Sequence, residues 1–407
     1  MAIETVSAKQ LEQRFSGVRH FLEEQGLGAL FVYSGPEAHQ WGQTGHVSYL
    51  SGWANHDRIG DSAVVVPVTG QPALLFAGLP YMREQIGDVC PLQDVRMVRA
   101  VDPQAVAVMV RDGVDTGPRE FADEAMSILQ ENGLEGKDGG VVGVDHMPVP
   151  FYEALSESLG AKLRRVRDCV AELRSIKSPD EVEVMRRAAQ LSDLGFQTMV
   201  KEARAGMRGI EIVAEMERQV RRQGADFAQY WMASGPPPNW ASVRMDIKPH
   251  ERRLEDGDLM ASCSYVLYKG YWCHGHRAGT LARPLPELNE ISTIGREAQD
   301  AGLEVIKPGV PVGHIAEVIR KKAAEHEFEI HGGRIGHGMG MDYSERPSLS
   351  ESNDALLQVG MTFVVHAAYT LPDSGKMFVP LGDVCHVVPG GVETLMNFPR
   401  TPFIAGQ

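Results

Sequence analysis

The sequence is poor in cysteine and lacks the cysteine spacings that a disulfide framework requires. Its cysteines are odd in number, are widely scattered and form no CxxC pair. They are Cys90, Cys169, Cys263, Cys273 and Cys385. This usage is typical of a reducing compartment, so we expect a cytoplasmic protein without disulfide bonds.

Long apolar runs and an excess of basic residues are also missing. No run of about 18 apolar residues could span a bilayer, and the amino terminus lacks the basic and apolar regions of a signal peptide. The formal net charge of -14 argues against nucleic acid or an anionic membrane as a partner. We therefore expect a small-molecule substrate, with no nucleic acid and no membrane as partners.

The chain is long enough for two domains. It has 407 residues, of which 43% are hydrophobic and 23% charged, as in a globular protein. Short strands alternate with helices up to about residue 172, which predicts an α/β domain over residues 1–172. The capping box at Ser178-Pro179-Asp180-Glu181 predicts the start of a long helix. It opens a second domain, over residues 176–407.

A β-hairpin stands at the centre of the second domain. Leu259–Tyr268 and Tyr271–Leu281 are both of strand length, and Lys269-Gly270 between them suits a tight turn. Period-two alternation predicts that one face of the hairpin carries potential ligands and aromatic rings. These residues are Cys263, Tyr265, Trp272, His274 and His276.

The second domain also contains an internal repeat with an offset of 103 residues. Gly206 before a helix resembles Gly309 before a helix, and Gly257 before a strand resembles Gly360 before a strand. The repeat superposes Cys263 on His366. A pseudo-twofold arrangement would bring their two strands together at its axis.

A series of motifs runs in order along the second domain: Arg174 to Ala188, Ser234-Gly235-Pro236, Gly257-Asp258, Gly270-Tyr271, Gly336 to Gly340 and Leu357 to Met361. These motifs resemble those of the family of creatinase, aminopeptidase P and prolidase. The resemblance implies a creatinase/prolidase-type amino-terminal domain followed by a pita-bread α+β domain. It also implies a homodimer, in which the loop carrying Arg58 reaches the partner's pocket and suits a carboxylate-bearing substrate.

The sequence departs from the family pattern where the chemistry lies. The family's two metal ions are held by Asp, Asp, His, Glu and Glu, and those positions are here Cys263, His274, His337, His366 and Gly382. A binuclear Mn or Co site is therefore not expected, because the bridging carboxylates are missing. The positions of two peptidase histidines hold Ser344 and Gly333. We therefore expect an enzyme that is not a typical Xaa-Pro aminopeptidase.

The residues at the old ligand positions could instead hold one ion. Cys263, His274, His337 and His366 form a candidate site for a single divalent metal, Zn²⁺ or Fe²⁺, with an open coordination position. Alternatively, the histidines bind substrate by hydrogen bonds and no metal is present.

Other residues are candidates for supporting roles in the same pocket. Glu345 and Asp383 join His274, His337 and His366 as catalytic candidates, although each carboxylate could equally be solvated or ion-paired. Aromatic and polar side chains on segments near the pocket are candidates for substrate binding, although the rings could equally be core. These are Trp231, Trp240, Tyr265, Trp272 and His276, together with Arg58.

The sequence thus predicts a hydrolase that cleaves a C–N bond of a small non-peptide substrate with at most one metal ion. Three alternatives stay open: a metal-free acid-base hydrolase or lyase, a mononuclear non-haem iron enzyme that uses oxygen, and a catalytically inactive binding protein. Fold-level analogy does not identify the substrate.

Overall fold

The computed structural model divides into two units, Met1–Arg174 and Ser175–Gln407. It describes residues 7–35, 45–53, 61–78, 82–99, 117–235, 252–370 and 377–407.

The first unit contains a sheet of six described strands. In chain order they are β1 (Ala29–Ser34), β2 (Ser62–Pro67), β3 (Ala73–Gly78), β4 (Asp94–Arg99), β5 (Gly139–Val142) and β6 (Leu163–Arg165). Their order across the sheet is β4-β3-β2-β1-β5-β6. The pairs β1–β2 and β2–β3 are antiparallel and the other three are parallel, so the sheet is mixed.

Helices and the faces of this sheet enclose the core of the first unit. The described helices are α1 (Ala8–Gln25), α2 (Gly45–Ser51), α3 (Met82–Val89), α4 (Gly117–Glu131), α5 (Val149–Leu159) and α6 (Cys169–Ser175). Phe121 and Phe151 from α4 and α5 pack edge to face, with ring centroids 5.5 Å apart, among the buried side chains of the strands.

The second unit is organised around a larger sheet. Its strands are β7 (Phe227–Gly235), β8 (Leu259–Tyr268), β9 (Tyr271–Leu281), β11 (Gly336–Gly338), β12 (Glu345–Ser348), β13 (Thr362–Val365), β16 (Leu381–Val388), β17 (Gly391–Thr394) and β18 (Phe403–Ala405). The main path runs β12-β11-β13-β16-β9-β8-β7, while β17 pairs with β16 and β18 with β9. A small sheet consists of β10 (Glu329–Ile330), β14 (Tyr369–Thr370) and β15 (Met377–Phe378).

The described helices of the second unit are α7 (Pro179–Glu202), α8 (Gly209–Arg222), α9 (Pro286–Glu304) and α10 (Val312–Ala324). The first of them, α7, begins at the predicted capping box. At the start of α7, Ser178 Oγ accepts from the Glu181 backbone N–H, and the Glu181 carboxylate accepts from the Ser178 N–H. Two otherwise unpaired backbone donors are thereby satisfied, which fixes where α7 begins. Within the described residues, no helix is both long and apolar enough to cross a membrane.

The predicted hairpin is confirmed at both strands and at the turn. Lys269 and Gly270 have φ values of 47° and 77°. Two successive residues with positive φ match a type I′ turn, whose twist suits the flanking strands. Nearly all residues of the two strands are buried.

The predicted repeat is also visible in the backbone. Gly206 and Gly309 both have φ of 87°, and helices α8 and α10 begin three residues after them. The isolated bridges Arg208↔Arg253 and Pro311↔Leu356 are related by the same 103 residues.

One expectation from the repeat is wrong. The strand of Cys263, β8, is not a neighbour of β13, because β16 and β9 lie between them. The two halves of the sheet meet where β9 pairs with β16. There, His276 in β9 is paired with Gly382 in β16.

Candidate functional site

The central hairpin places three potential ligands on one buried face. Cys263 in β8 is paired with His276 in β9, and Tyr265 is paired with His274. Side chains alternate along a strand, so these four residues share one face of the sheet. Cys263, His274 and His276 are only 0%, 1% and 6% exposed.

The ligand atoms of these residues are close together. Cys263 Sγ lies 3.8 Å from Nε2 of His274 and 3.6 Å from Nε2 of His276. The two Nε2 atoms are 2.9 Å apart. Among the described residues, Cys263, His274 and His276 form the group whose potential metal-ligating atoms all lie within 4.8 Å of one another.

Two further histidines reach the same pocket from other strands. His337 lies in β11 and His366 directly follows β13. Their ring centroids are 5.3 Å apart, and those of His274 and His366 are 5.2 Å apart. The His276 and His366 rings stack at 5.4 Å. The structure thus brings His274, His337 and His366 together and adds His276, which the sequence analysis assigned to substrate binding.

Backbone carbonyls fix the orientation of two of the imidazoles. His274 Nδ1 is 2.8 Å from the Ser264 carbonyl oxygen, and His337 Nδ1 is 2.9 Å from that of Gly338. A carbonyl oxygen only accepts, so both Nδ1 atoms carry the proton and both Nε2 atoms keep a lone pair. Within the described structure, the buried Nε2 atoms of His337 and His366 have no hydrogen-bond partner.

Burial keeps all four imidazoles neutral. It lowers the pKa of His337 to about 4 and lowers the pKa of His274, His276 and His366 well below the ordinary value. Neighbouring imidazoles lower the pKa of these three further, because two adjacent positive charges repel. The neutral ring is the form that binds a metal ion.

The thiol of Cys263 is also held in its neutral form. Burial raises its pKa, although a hydrogen bond with the Tyr265 side chain acts in the opposite direction. A buried thiol is inert as a nucleophile unless a cation stabilises its thiolate. Cys263 is therefore suited to a ligand role and not to covalent catalysis.

Aromatic side chains surround the cluster. The Tyr265 ring lies 4.9 Å from that of His274 and 4.8 Å from that of Trp231. Tyr343 contacts the rings of His274 and His337, both at 5.0 Å. Tyr343 was not among the residues predicted from the sequence, where its place shortly after His337 is the only local signal for it.

Trp272 belongs to the outer part of this aromatic shell. Its ring lies 6.4 Å from Tyr343 and 5.7 Å from Phe227, and it is 3% exposed. Its contacts with other rings are those of a packed side chain that supports Tyr343.

Glu345 takes part in a buried ion pair. Its Oε2 accepts a hydrogen bond from Lys177 Nζ at 2.8 Å, and its Oε1 accepts one from the backbone N–H of Asp342 at 2.9 Å. The side chains of Lys177 and Glu345 are 2% and 6% exposed. The pair anchors the segment that carries Tyr343.

Asp383 lies in a second buried ion-pair network. Its Oδ1 accepts from Arg277 at 2.7 Å, and its Oδ2 accepts from Gln299 at 3.1 Å and from Arg400 at 3.0 Å. These bonds tie β16 to β9 and occupy both oxygens. This placement is that of a structural carboxylate.

Two of the predicted substrate-binding residues, Arg58 and Trp240, lie outside the described residues. The homodimer expected from the loop of Arg58 stays a prediction.

The donor set fits one metal ion and does not fit a binuclear site bridged by carboxylates. Neutral imidazoles and a buried thiol are ligands for a single borderline ion. Nε2 of His337 and of His366 lack a partner within the part of the chain that the structure describes. They match a pocket built for a further polar group, since buried nitrogens without partners are costly.

Family comparison accounts for both halves of the chain. The family model "Metallopeptidase family M24" matches residues 183–392. A second model, "Creatinase/Prolidase N-terminal domain", matches residues 14–176. The chain belongs to metallopeptidase family M24.

Curated relatives of the chain are named as peptidases. An uncharacterized peptidase of Bacillus subtilis is 31% identical over 248 residues, which cover 59% of this chain and 67% of the relative. A Xaa-Pro dipeptidase of Pyrococcus horikoshii is 26% identical over 258 residues, which cover 62% of this chain and 72% of the relative.

Solved structures share the whole fold. A Xaa-Pro dipeptidase from Bacillus anthracis has a TM-score of 0.78 at 22% identity and covers 97% of this chain and 99% of its own. An X-Pro aminopeptidase from Thermotoga maritima has a TM-score of 0.75 at 22% identity, covering 96% and 99%. The predicted two-domain α/β architecture, with a creatinase-type domain followed by a pita-bread domain, is confirmed.

These comparisons correct the predicted function. The family and the named relatives are peptidases, which overturns the expectation of a hydrolase for a non-peptide C–N bond. Its alternatives, a metal-free hydrolase or lyase, an iron enzyme that uses oxygen and an inactive binding protein, fall with it. The expectation gave too much weight to the missing carboxylates and too little to the rest of the family pattern.

Proposed function

We propose that this chain is a peptidase that hydrolyses Xaa-Pro dipeptides with one divalent metal ion in its Cys-His pocket. Membership of metallopeptidase family M24 supports the reaction class, and the name of the Pyrococcus relative supports the substrate class. The observation that carries the proposal is the buried group Cys263, His274 and His276, with the imidazoles of His337 and His366 beside it.

Cys263, His274 and His276 would hold the ion. Three protein ligands with an open position are the usual arrangement of a catalytic zinc site. A divalent ion bound there would polarise a scissile carbonyl and acidify water.

The chain's own residues supply orientation and proton acceptance. The Gly338 carbonyl holds His337 with its Nε2 lone pair free, so that this nitrogen can accept a proton or orient a water molecule. His366 presents a second buried Nε2 that has no hydrogen-bond partner among the described residues. We assign these two imidazoles the role of the histidines that the family pattern has at the positions of Ser344 and Gly333.

The aromatic shell limits access of bulk water. Tyr265, Tyr343 and Trp272 are 3%, 5% and 3% exposed, respectively. Exclusion of water strengthens each electrostatic interaction inside the pocket. A proline ring would have aromatic faces to pack against.

Proline release tests the proposal. Untagged protein is stripped with a chelator, reloaded with Zn²⁺, Co²⁺ or Mn²⁺, and assayed with Ala-Pro, Leu-Pro and Ala-Ala. We expect metal-dependent release of proline from the first two and little cleavage of Ala-Ala. His274→Ala should lose at least about 100-fold in kcat/KM, since removing a ligand weakens metal binding by at least the factor seen for outer-shell partners.

The matched control is His314→Ala, because the His314 side chain is 47% exposed on α10. This variant should keep wild-type activity. If the protein binds a stoichiometric amount of metal but releases proline with none of the three ions, the proposed peptidase is refuted.

A further inference from the structure

The contact between β9 and β16 carries an inference about which metal the site accepts. His276 and Gly382 are paired across these strands. A Cβ atom added at Gly382 would lie 2.7 Å from His276 Cδ2, 3.0 Å from His276 N and 3.1 Å from His366 Cβ. No side chain at position 382 can coexist with the present positions of both histidines.

Glycine at this position therefore has a specific consequence. In the family pattern this position carries a glutamate ligand, so the space that a carboxylate would enter here holds the His276 ring. A side chain at position 382 and the His276 ring would therefore occupy the same space. The change exchanges an oxygen donor for a nitrogen donor within the same pocket.

The three ligand atoms already enclose a point at bonding distance. Separations of 2.9, 3.6 and 3.8 Å among His274 Nε2, His276 Nε2 and Cys263 Sγ define a triangle. Its circumscribed circle has a radius of about 2.0 Å, which is close to a zinc–nitrogen bond and slightly short of a zinc–sulfur bond. Little movement of these three side chains would be needed for them to hold an ion.

Carboxylates near the pocket are engaged elsewhere. The oxygens of Asp383 accept from Arg277, Gln299 and Arg400, and Glu345 is paired with Lys177. The described cluster consequently offers nitrogen and sulfur donors alone. Such donors favour zinc and cobalt, whereas manganese prefers carboxylate oxygens.

We propose that the Gly382–His276 pair makes this a mononuclear nitrogen–sulfur site that selects Zn²⁺ and Co²⁺ over Mn²⁺. The inference rests on the proposed metal-dependent function for its biological meaning. Its test needs no substrate, because metal binding itself is measured.

The experiment titrates chelator-treated, untagged protein with each ion in turn. Stoichiometry is measured by elemental analysis, affinity by competition with a chelator, and Co²⁺ ligation by visible and near-ultraviolet absorption. We expect one Co²⁺ or Zn²⁺ per chain, binding at least about 100-fold tighter than Mn²⁺. A sulfur-to-cobalt charge-transfer band should be present in wild type and absent from Cys263→Ser.

Variants of the pair test its role. His276→Gln should weaken Co²⁺ binding by at least about 100-fold because it removes a ligand, and Gly382→Ala by at least about tenfold because it displaces that ligand. Gly390→Ala is the matched control, because a Cβ at Gly390 meets nothing within 4 Å. It should keep wild-type affinity. Circular dichroism identifies any variant that fails to fold. In that case, the cobalt spectrum and the ion preference of the wild-type protein still test whether the site is a nitrogen–sulfur site that selects Zn²⁺ and Co²⁺.

Several results would overturn the inference. These are Mn²⁺ binding as tightly as Zn²⁺, two ions per chain, or wild-type Co²⁺ affinity in both His276→Gln and Gly382→Ala. A metal that binds as expected but supports no proline release would leave this inference standing and refute the proposed peptidase. Proline release by a protein that binds Mn²⁺ as tightly as Zn²⁺ would refute this inference and leave the proposed peptidase standing.

Discussion

At the scale of single residues, burial decides the chemistry of the histidine cluster. His337 is 1% exposed, and its pKa falls to about 4 because the charged ring would be desolvated. Since His274, His276 and His366 experience the same effect, the cluster is a set of neutral donors at pH 7. Four adjacent imidazolium ions could not be accommodated there.

The depressed pKa predicts how the stability of the metal-free protein depends on pH. Between pH 6.5 and pH 4 the unfolded chain binds a proton at His337 that the folded chain does not bind. The free energy of unfolding therefore falls as the pH falls through this window, by about 1.5 kcal/mol from His337 between pH 6.5 and pH 5. Urea unfolding at pH 7, 6 and 5 measures this slope.

His337→Asn should show a shallower slope than wild type, because it removes one titrating group. His314→Asn, at an exposed site, should keep the wild-type slope. Identical slopes in wild type and His337→Asn would show that His337 does not titrate in this way.

At the scale of elements, local patterns predicted the hairpin well. The alternation in Leu259–Tyr268 and Tyr271–Leu281 and the Lys269-Gly270 turn are all local signals, and the observed register follows them. The pairing of His276 with Gly382 depends instead on which strands of the two halves meet. One sequence does not contain that information, which is why His276 was assigned to substrate binding.

Tyr343 was missed for a related reason. Its ring reaches His274 and His337 only because the segment after β11 folds back over the pocket, held by the Lys177–Glu345 pair. The same long-range contact decides the role of Glu345. Neither contact follows from periodicity.

The internal repeat predicts equal costs at equivalent turns. Gly206 and Gly309 share φ of 87° and a Cβ would meet nothing within 4 Å at either position. Gly206→Ala and Gly309→Ala should therefore each lower the free energy of unfolding by about 1–2 kcal/mol, through backbone strain alone. Urea unfolding at pH 7 measures both values.

Gly333→Ala is the control, because a Cβ there also meets nothing and its φ lies outside the left-handed region. It should leave stability unchanged. Costs that differ widely between Gly206→Ala and Gly309→Ala would indicate that the two halves have diverged at these turns.

At the scale of the whole molecule, the site is contained in one of the two units. Every residue of the Cys-His cluster lies within Ser175–Gln407, and the first unit has a hydrophobic core of its own. The cluster lies along one stretch of the larger sheet, β11-β13-β16-β9-β8, in which β16 contributes Gly382 beside His276. The proposed ligands lie on β8 and β9 in the first half of the repeat, and His337 and His366 of the second half lie beside them.

Metal binding should therefore stabilise the second unit selectively. An ion at 100 times its Kd adds about 2.7 kcal/mol to the free energy of any opening that releases it, which corresponds to about 100-fold slower hydrogen exchange. We expect such slowing in Leu259–Tyr268, Tyr271–Leu281 and Leu381–Val388 on adding Zn²⁺ to the full chain. The first unit's strands Ala29–Ser34 and Ser62–Pro67 should exchange at unchanged rates.

Exchange measured by mass spectrometry reports all five segments at once, and His274→Ala with Zn²⁺ should exchange like the metal-free wild type. Equal slowing in both units would show that the ion stabilises the chain as one cooperative body, and no slowing around a stoichiometrically bound ion would place that ion elsewhere.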